Sequence, residues 1–434
     1  MNQLKVGVGR EIITPKIGAR LYGYALDVFG TSVNDELTAT AIALQHNGQS
    51  AVLISATVCL INNNLSNEIR KKVSKKINVP AEHIVLSSTH THSGPGTEGV
   101  TGWGEIDRTY CDEIFIPQLI KAAETAFGTL EEATLGTATI KSEIGINRRQ
   151  LNRDNSICLG QNPWGSYDPN LTVLSFRNLA GKPIANLIHY GAHCTAAGKN
   201  KEMTRDWAGI MIDRLETESG AITAFFNGTE GDVGPRLTNG LTTGNINYVR
   251  ELGGLAAQDA IKAYRLIKEF RSVPLHCTTD EIRLPYSEAI PLEIAEQNLK
   301  AMEAEKPEVN LRGRTYAYYK AVVEAYQRGL PKERYFKYTQ TILKVGSVVF
   351  IPFPFEVFSE ISLRLRHYSP YPHTLCLGCT NGNNGYLPTQ DQICRGGYEI
   401  SVFLTSGVQN LEPNTDYHII AENLRIMEGL PCTE

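Results

Sequence analysis

Short apolar runs alternate with amphipathic stretches through the first half of the chain. Ala39–Leu44 and Ala51–Ala56 read as paired strands around His46-Asn47-Gly48-Gln49, with Asn-Gly at the hairpin tip. From Asn64 a helical period opens on polar capping residues, runs through Lys76 and ends basic, and Ile84-Val85-Leu86 follows as a short buried strand. The same order recurs where a helical period from Trp207 to Glu216 lies between the apolar runs Ile184–Ile188 and Ile222–Phe226. Repeated strand–helix–strand patterns predict βαβ units. Further strands are expected at Thr172–Phe176 and Val345–Ile351. Pro291–Gln327 differs, being charged, helical in period and interrupted by Pro307 and Gly313, which predicts a helical hairpin within an excursion over about 287–335. The expected fold class is α/β, a mixed β-sheet core flanked by helices. With no internal repeat and no low-complexity linker, residues 1–434 are expected to form a single domain.

Composition narrows the partners more than the fold. A net charge of −4 offers no basic field for nucleic acid or an anionic membrane surface, so a small-molecule substrate must be selected by a local pocket. No apolar run reaches about 18 residues, so no integral membrane segment is expected. The opening Met1–Val6 lacks the charged and apolar regions of a leader. The nine cysteines are an odd number set mostly in apolar segments, such as Cys59, Cys158 and Cys277. Reduced thiols and a cytoplasmic location are therefore expected.

Candidate chemistry sits where strands end. Ser87-Ser88-Thr89-His90-Thr91-His92-Ser93-Gly94-Pro95-Gly96 follows a buried strand, and His90 and His92 share a face of an extended segment. The H-x-H spacing suits metal ligation, against the plain alternative of two surface histidines. His189-Tyr190-Gly191-Ala192-His193-Cys194-Thr195 repeats the situation after a second strand, which strengthens His90 and His193 as a metal pair. Asp206 then stands at a helix start, either as an N-cap or as an acid orienting a ligand histidine. In Asn227-Gly228-Thr229-Glu230-Gly231-Asp232-Val233-Gly234 the acids, Asp232 among them, orient a histidine, bind metal or build turns. Glu356 is a lone carboxylate after an apolar strand, which is costly unless paired or metal-bound. Tyr386 and Tyr398 stand in glycine-rich loops. Cys376-x-x-Cys379 lacks the second half of a zinc site and reads as buried thiols.

The order of these motifs resembles the catalytic domain of the neutral/alkaline non-lysosomal ceramidase family. The likeness covers Val6–Pro15 with Gly23-Tyr24-Ala25, the Thr-His-Thr-His-Ser-Gly-Pro-Gly loop, Asn147-Arg148 and Ala192–Thr195. It continues through Glu230–Val233, Pro354-Phe355-Glu356 and Asn384-Gly385-Tyr386. The resemblance implies a Zn2+ ion held by His90, His193, Glu356 and Tyr386, with His92 beside the metal. It also implies that Arg148 and Tyr398 bind substrate or stabilise its oxyanion. The family carries a serine, implicated in amide cleavage, where this chain has Gly234, and usually a C-terminal immunoglobulin-like domain that is not expected here.

These residues lead to the expectation of a zinc-dependent hydrolase in which metal-activated water cleaves an amide or ester-like bond. His92 would carry a proton. Arg149, Arg205 and Arg236 in the motif loops, together with the missing serine, favour a polar substrate, carbohydrate-derived or a lactone, over ceramide itself. The alternatives are a true ceramidase or N-acyl amidohydrolase, and a degenerate metal-binding protein without catalysis.

Overall fold

A computed structural model describes all residues except 1–2, 25–26, 100–103, 305–310, 330–332, 402–407 and 432–434. Eight strands form the larger sheet: β1 (Lys5–Ile12), β2 (Thr38–His46), β3 (Gln49–Ala56), β4 (Ile84–Ser88), β5 (Glu131–Lys141), β6 (Asn170–Asn178), β7 (Pro183–Tyr190) and β8 (Ile222–Asn227), in the order β8-β7-β6-β5-β1-β2-β3-β4. The smaller sheet has the order β9 (Leu275–Pro285), β10 (Tyr335–Val345), β11 (Val348–Pro352), β12 (His373–Leu377). Within these two sheets three pairs are parallel, β3/β4, β7/β8 and β11/β12. Each is bridged by a helix: α1 (Asn63–Ile77), α3 (Asp206–Ser219) and α7 (Ser359–Tyr368) respectively. The first two are the βαβ units expected from the sequence, and the sheets are mixed.

Side-chain alternation explains the layering. Along β2, Ile42 and Leu44 face a core shared with Leu343, Phe350 and Leu377 of the smaller sheet. Ala39, Ala41 and Ala43 face the opposite way, toward α1 and α2 (Ile116–Gly128). On β7 and β8, Ile188 and Phe225 pack under α3 and α4 (Ile246–Leu266). Ile351 and Cys376 of the smaller sheet meet α7 and α8 (Thr415–Glu428). The result is two sheets face to face, with helices on both outer sides. At the β1–β5 junction only two residue pairs are in register, so the larger sheet breaks direction there. Its two ends approach: Ser55 Oγ donates to the Phe225 carbonyl and Asn227 Nδ2 to the Thr89 carbonyl.

Two expectations change. Val345–Ile351 is two antiparallel strands and not one, because Gly346 at φ +59° reverses the chain and pairs Val345 with Val348. An unbroken apolar run conceals such a turn, since both arms are buried. The hairpin within 287–335 is present as α5 (Leu292–Ala304) and α6 (Leu311–Arg328), but Gly313 lies inside α6 and does not interrupt it. Pro307 lies outside the described residues. Among the described residues no helix is long and apolar enough to cross a membrane.

His189 links the two sheets, its Nε2 donating to the Cys376 carbonyl at 2.8 Å. Burial pushes this imidazole down from 6.5 to about 4. The unfolded chain therefore takes up a proton that the folded one refuses as pH falls through that window. Stability is intact above the unfolded value and falls below it, by up to about 3 kcal/mol. His189→Gln, which keeps a donor, is expected to lose less stability than wild type between those two pH values in urea unfolding. Identical pH profiles for the two proteins would contradict this.

Candidate metal centre

The loops that leave the carboxyl ends of β4, β7, β8, β11 and β12 converge, the position at which open α/β sheets build sites. After β4 the chain turns through His90 at φ +65°, a conformation costly for a residue with a Cβ and typical of functional positions. His90 Nδ1 lies 2.9 Å from the Cys59 carbonyl. His193, reached from β7, places Nδ1 2.8 Å from the Glu230 carbonyl and 3.1 Å from that of Val233. A carbonyl only accepts, so each Nδ1 carries a proton, and in the neutral imidazole Nε2 then presents a bare lone pair. Burial, reinforced by Arg148 and His90, pushes the His193 imidazole down to about 3 and keeps it in that neutral form.

Both Nε2 atoms face one carboxylate. Glu356 Oε2 is 3.4 Å from His90 Nε2 and 3.3 Å from His193 Nε2. Neither His193 Nε2 nor Glu356 Oε2 has a hydrogen-bond partner, and the three residues form a cluster able to hold a metal ion. Two buried imidazole nitrogens gathered on one buried carboxylate oxygen are a set suited to a cation. Tyr386 joins through backbone register. Glu356–Val357 pairs in parallel with Tyr386–Leu387, which sets Tyr386 opposite Glu356. The Tyr386 phenol oxygen accepts from Arg148 Nη2 at 2.8 Å, and Arg148 Nε donates to Glu399 at 3.0 Å. The Tyr398 ring meets that of Tyr386 edge-on, with centroids 5.9 Å apart.

His92 stands beside the set, with Nε2 3.3 Å from His90 Nε2. Its Nδ1 is buried without a partner, and burial together with the neighbouring imidazoles holds its pKa well below the usual histidine range. The Tyr24 ring packs on it at 4.9 Å. Gly23, at φ +123°, makes this approach possible, because a Cβ there would sit 2.5 Å from the His92 ring.

The remaining expected residues act at one remove. Asp206 opens α3 and accepts from Ala196 N at 3.1 Å and Ala197 N at 2.8 Å, shaping the loop after His193. Asp232 accepts from Ser359 N at 2.7 Å and Asn147 Nδ2 at 3.1 Å, while its carbonyl takes Arg148 N at 2.8 Å. Both hold backbone around the candidate site and neither contacts an imidazole. The structure does not bring the other three arginines to the histidines. Arg149 donates to Glu399, Gln392 and Gly396, Arg205 to Asp35 and Asp213, and Arg236 to Gly145 and Tyr167.

Several contributors stand outside the sequence-derived set. Asn227 donates to the Thr89 and Ala192 carbonyls and accepts from Ala192 N, tying the His90 loop to the His193 loop. Glu399 clamps Arg148 and Arg149 together. Glu230, which burial pushes up to about 7, accepts from Cys379 Sγ at 2.8 Å, and that sulfur lies 3.6 Å from His90 Nδ1. Cys376 and Cys379 are both buried free thiols. Asn227 and Glu230 were accessible as members of a third strand-end loop, whereas nothing in the spacing marks Glu399.

Fold and site together define a two-sheet α/β protein with a buried histidine–carboxylate centre backed by a tyrosine and an arginine. The sequence model described as neutral/alkaline non-lysosomal ceramidase, N-terminal, matches residues 4–247, more than half of the chain. The chain belongs to that family of hydrolases. Neutral ceramidase B of Dictyostelium discoideum is 26% identical over 255 residues, covering 53% of this chain and 35% of that protein. The neutral ceramidase of Drosophila melanogaster is 24% identical over 261 residues, with 54% and 36% covered. The match thus spans about a third of the length of these relatives. The crystal structure of neutral ceramidase from Pseudomonas aeruginosa shares the fold, with a TM-score of 0.75 at 18% identity, over 99% of this chain and 75% of that one.

Proposed function

We propose that this chain is a zinc-dependent amidohydrolase that cleaves an N-acyl amide of the ceramide type. The observation that carries the proposal is the convergence of two buried imidazole Nε2 atoms on one buried carboxylate oxygen. A zinc ion held by His90, His193, Glu356 and Tyr386 would supply Lewis-acid polarisation of a carbonyl and a lowered pKa for the attacking water. The chain's own groups do the rest. His92, neutral and with Nδ1 unengaged, takes a proton from the water and returns it to the departing amine. Arg148, with Nε and Nη2 fixed by Glu399 and Tyr386, presents Nη1 as a positioned donor for the developing oxyanion. Tyr398 flanks the same wall.

The expectation of a polar substrate rested on Arg149, Arg205 and Arg236. Their donors are engaged with protein acceptors, which removes the physical reason for preferring a carboxylated or lactone substrate. The relatives named neutral ceramidases favour an N-acyl amide instead. The test is fatty-acid release from a ceramide, measured beside polar esters, amides and sugar lactones. Ceramide is expected to lead by at least about tenfold in kcat/KM. Turnover of a lactone or polar ester without fatty-acid release would overturn the substrate assignment.

A further inference from the structure

A polar cleft of about 420 Å³ runs between α1 and β10, apart from the metal ligands. Its charged wall is Arg70, Lys71, Lys337 and a single acid, Glu82. Arg70 is the unusual member: it is only 9% exposed, and its Nε donates to the Ile84 carbonyl at 2.9 Å. Its two terminal nitrogens have no hydrogen-bond partner, and no carboxylate lies within ion-pair distance among the described residues. Burying a guanidinium with no carboxylate in contact is costly, and burial pushes this group below its ordinary range although Glu82 opposes the shift. Lys71 and Lys337 are exposed at the rim, and neither is engaged in an ion pair among the described residues. Pro352 and Pro354 add an apolar side to the cleft.

We propose that this cleft binds a small organic molecule through a phosphate-class oxyanion, with Arg70 as the planar donor and the two lysines as point charges. Pro352 and Pro354 receive the organic part. An occupant would also touch the loop leading to Tyr386, since Asn381 and Asn384 are in the wall and Asn384 donates to the Pro354 carbonyl.

Calorimetric titration of the full chain with inorganic phosphate and with phenyl phosphate tests this. One saturable site is expected, tighter for phenyl phosphate. Arg70→Gln should abolish it, and Lys71→Ala with Lys337→Ala should weaken it at least about tenfold. If Arg70→Gln fails to fold, the exposed lysine pair decides. His90→Ala should leave the site intact, which separates it from anion binding at the metal centre. The proposal is overturned by no saturable binding to wild type, by binding undiminished in the lysine double variant, or by binding that vanishes in His90→Ala.

Discussion

His193→Ala is expected to lose its bound metal and at least about a thousandfold in kcat/KM, several kcal/mol of charge stabilisation. His193 contributes the lone pair that faces Glu356 Oε2 at 3.3 Å. His90→Ala should behave alike, because its Nε2 faces the same oxygen. Metal analysis of purified wild type and both variants, beside circular dichroism to confirm folding, is the direct check. Equal metal content in all three proteins would remove the central claim about the site.

Restoring a serine at Gly234 should harm this protein. A Cβ at that position lies 2.6 Å from Thr242 Cβ and 2.7 Å from its Cγ2, well inside van der Waals contact. Thr242 cannot retreat freely, since it is buried and its carbonyl accepts from Thr195 Oγ1 at 3.0 Å. Overpacking of this kind costs about 1–3 kcal/mol. Position 234 is also paired in register with Ile146, one residue from Val233, whose carbonyl accepts from His193. The strain therefore reaches His193, and Gly234→Ser should lower both activity and Tm. Combining it with Thr242→Gly should show favourable coupling in a double-mutant cycle, because the second change empties the contested volume. A serine variant as stable and active as wild type would show that the space is not contested.

Much of the scaffold was legible because βαβ units announce themselves by period: the strands flanking α1 and α3 and the helical hairpin at α5 and α6 stand where the pattern puts them. His90, His92 and His193 were legible for a related reason, since a polar loop after a buried strand is a standard place for chemistry. Glu356 and Tyr386 were not derivable from spacing. Thirty residues separate them, and they meet through a two-residue parallel pairing that leaves no periodic trace. The arginines show the opposite failure. Arg149, Arg205 and Arg236 lie in motif loops, but sequence proximity does not reveal a guanidinium's direction, and each found acceptors within the protein. Glu399, which orients Arg148, lies 251 positions from it.

His90 and His193 extend from the larger sheet, whereas Glu356 and Tyr386 follow strands of the smaller one. An ion shared among them would act as a clasp between two halves of the molecule. By mass action, whatever free energy the ion gains on binding is added to the cohesion of the sandwich. Cellular metal supply would then govern how long each molecule survives as well as how fast it works.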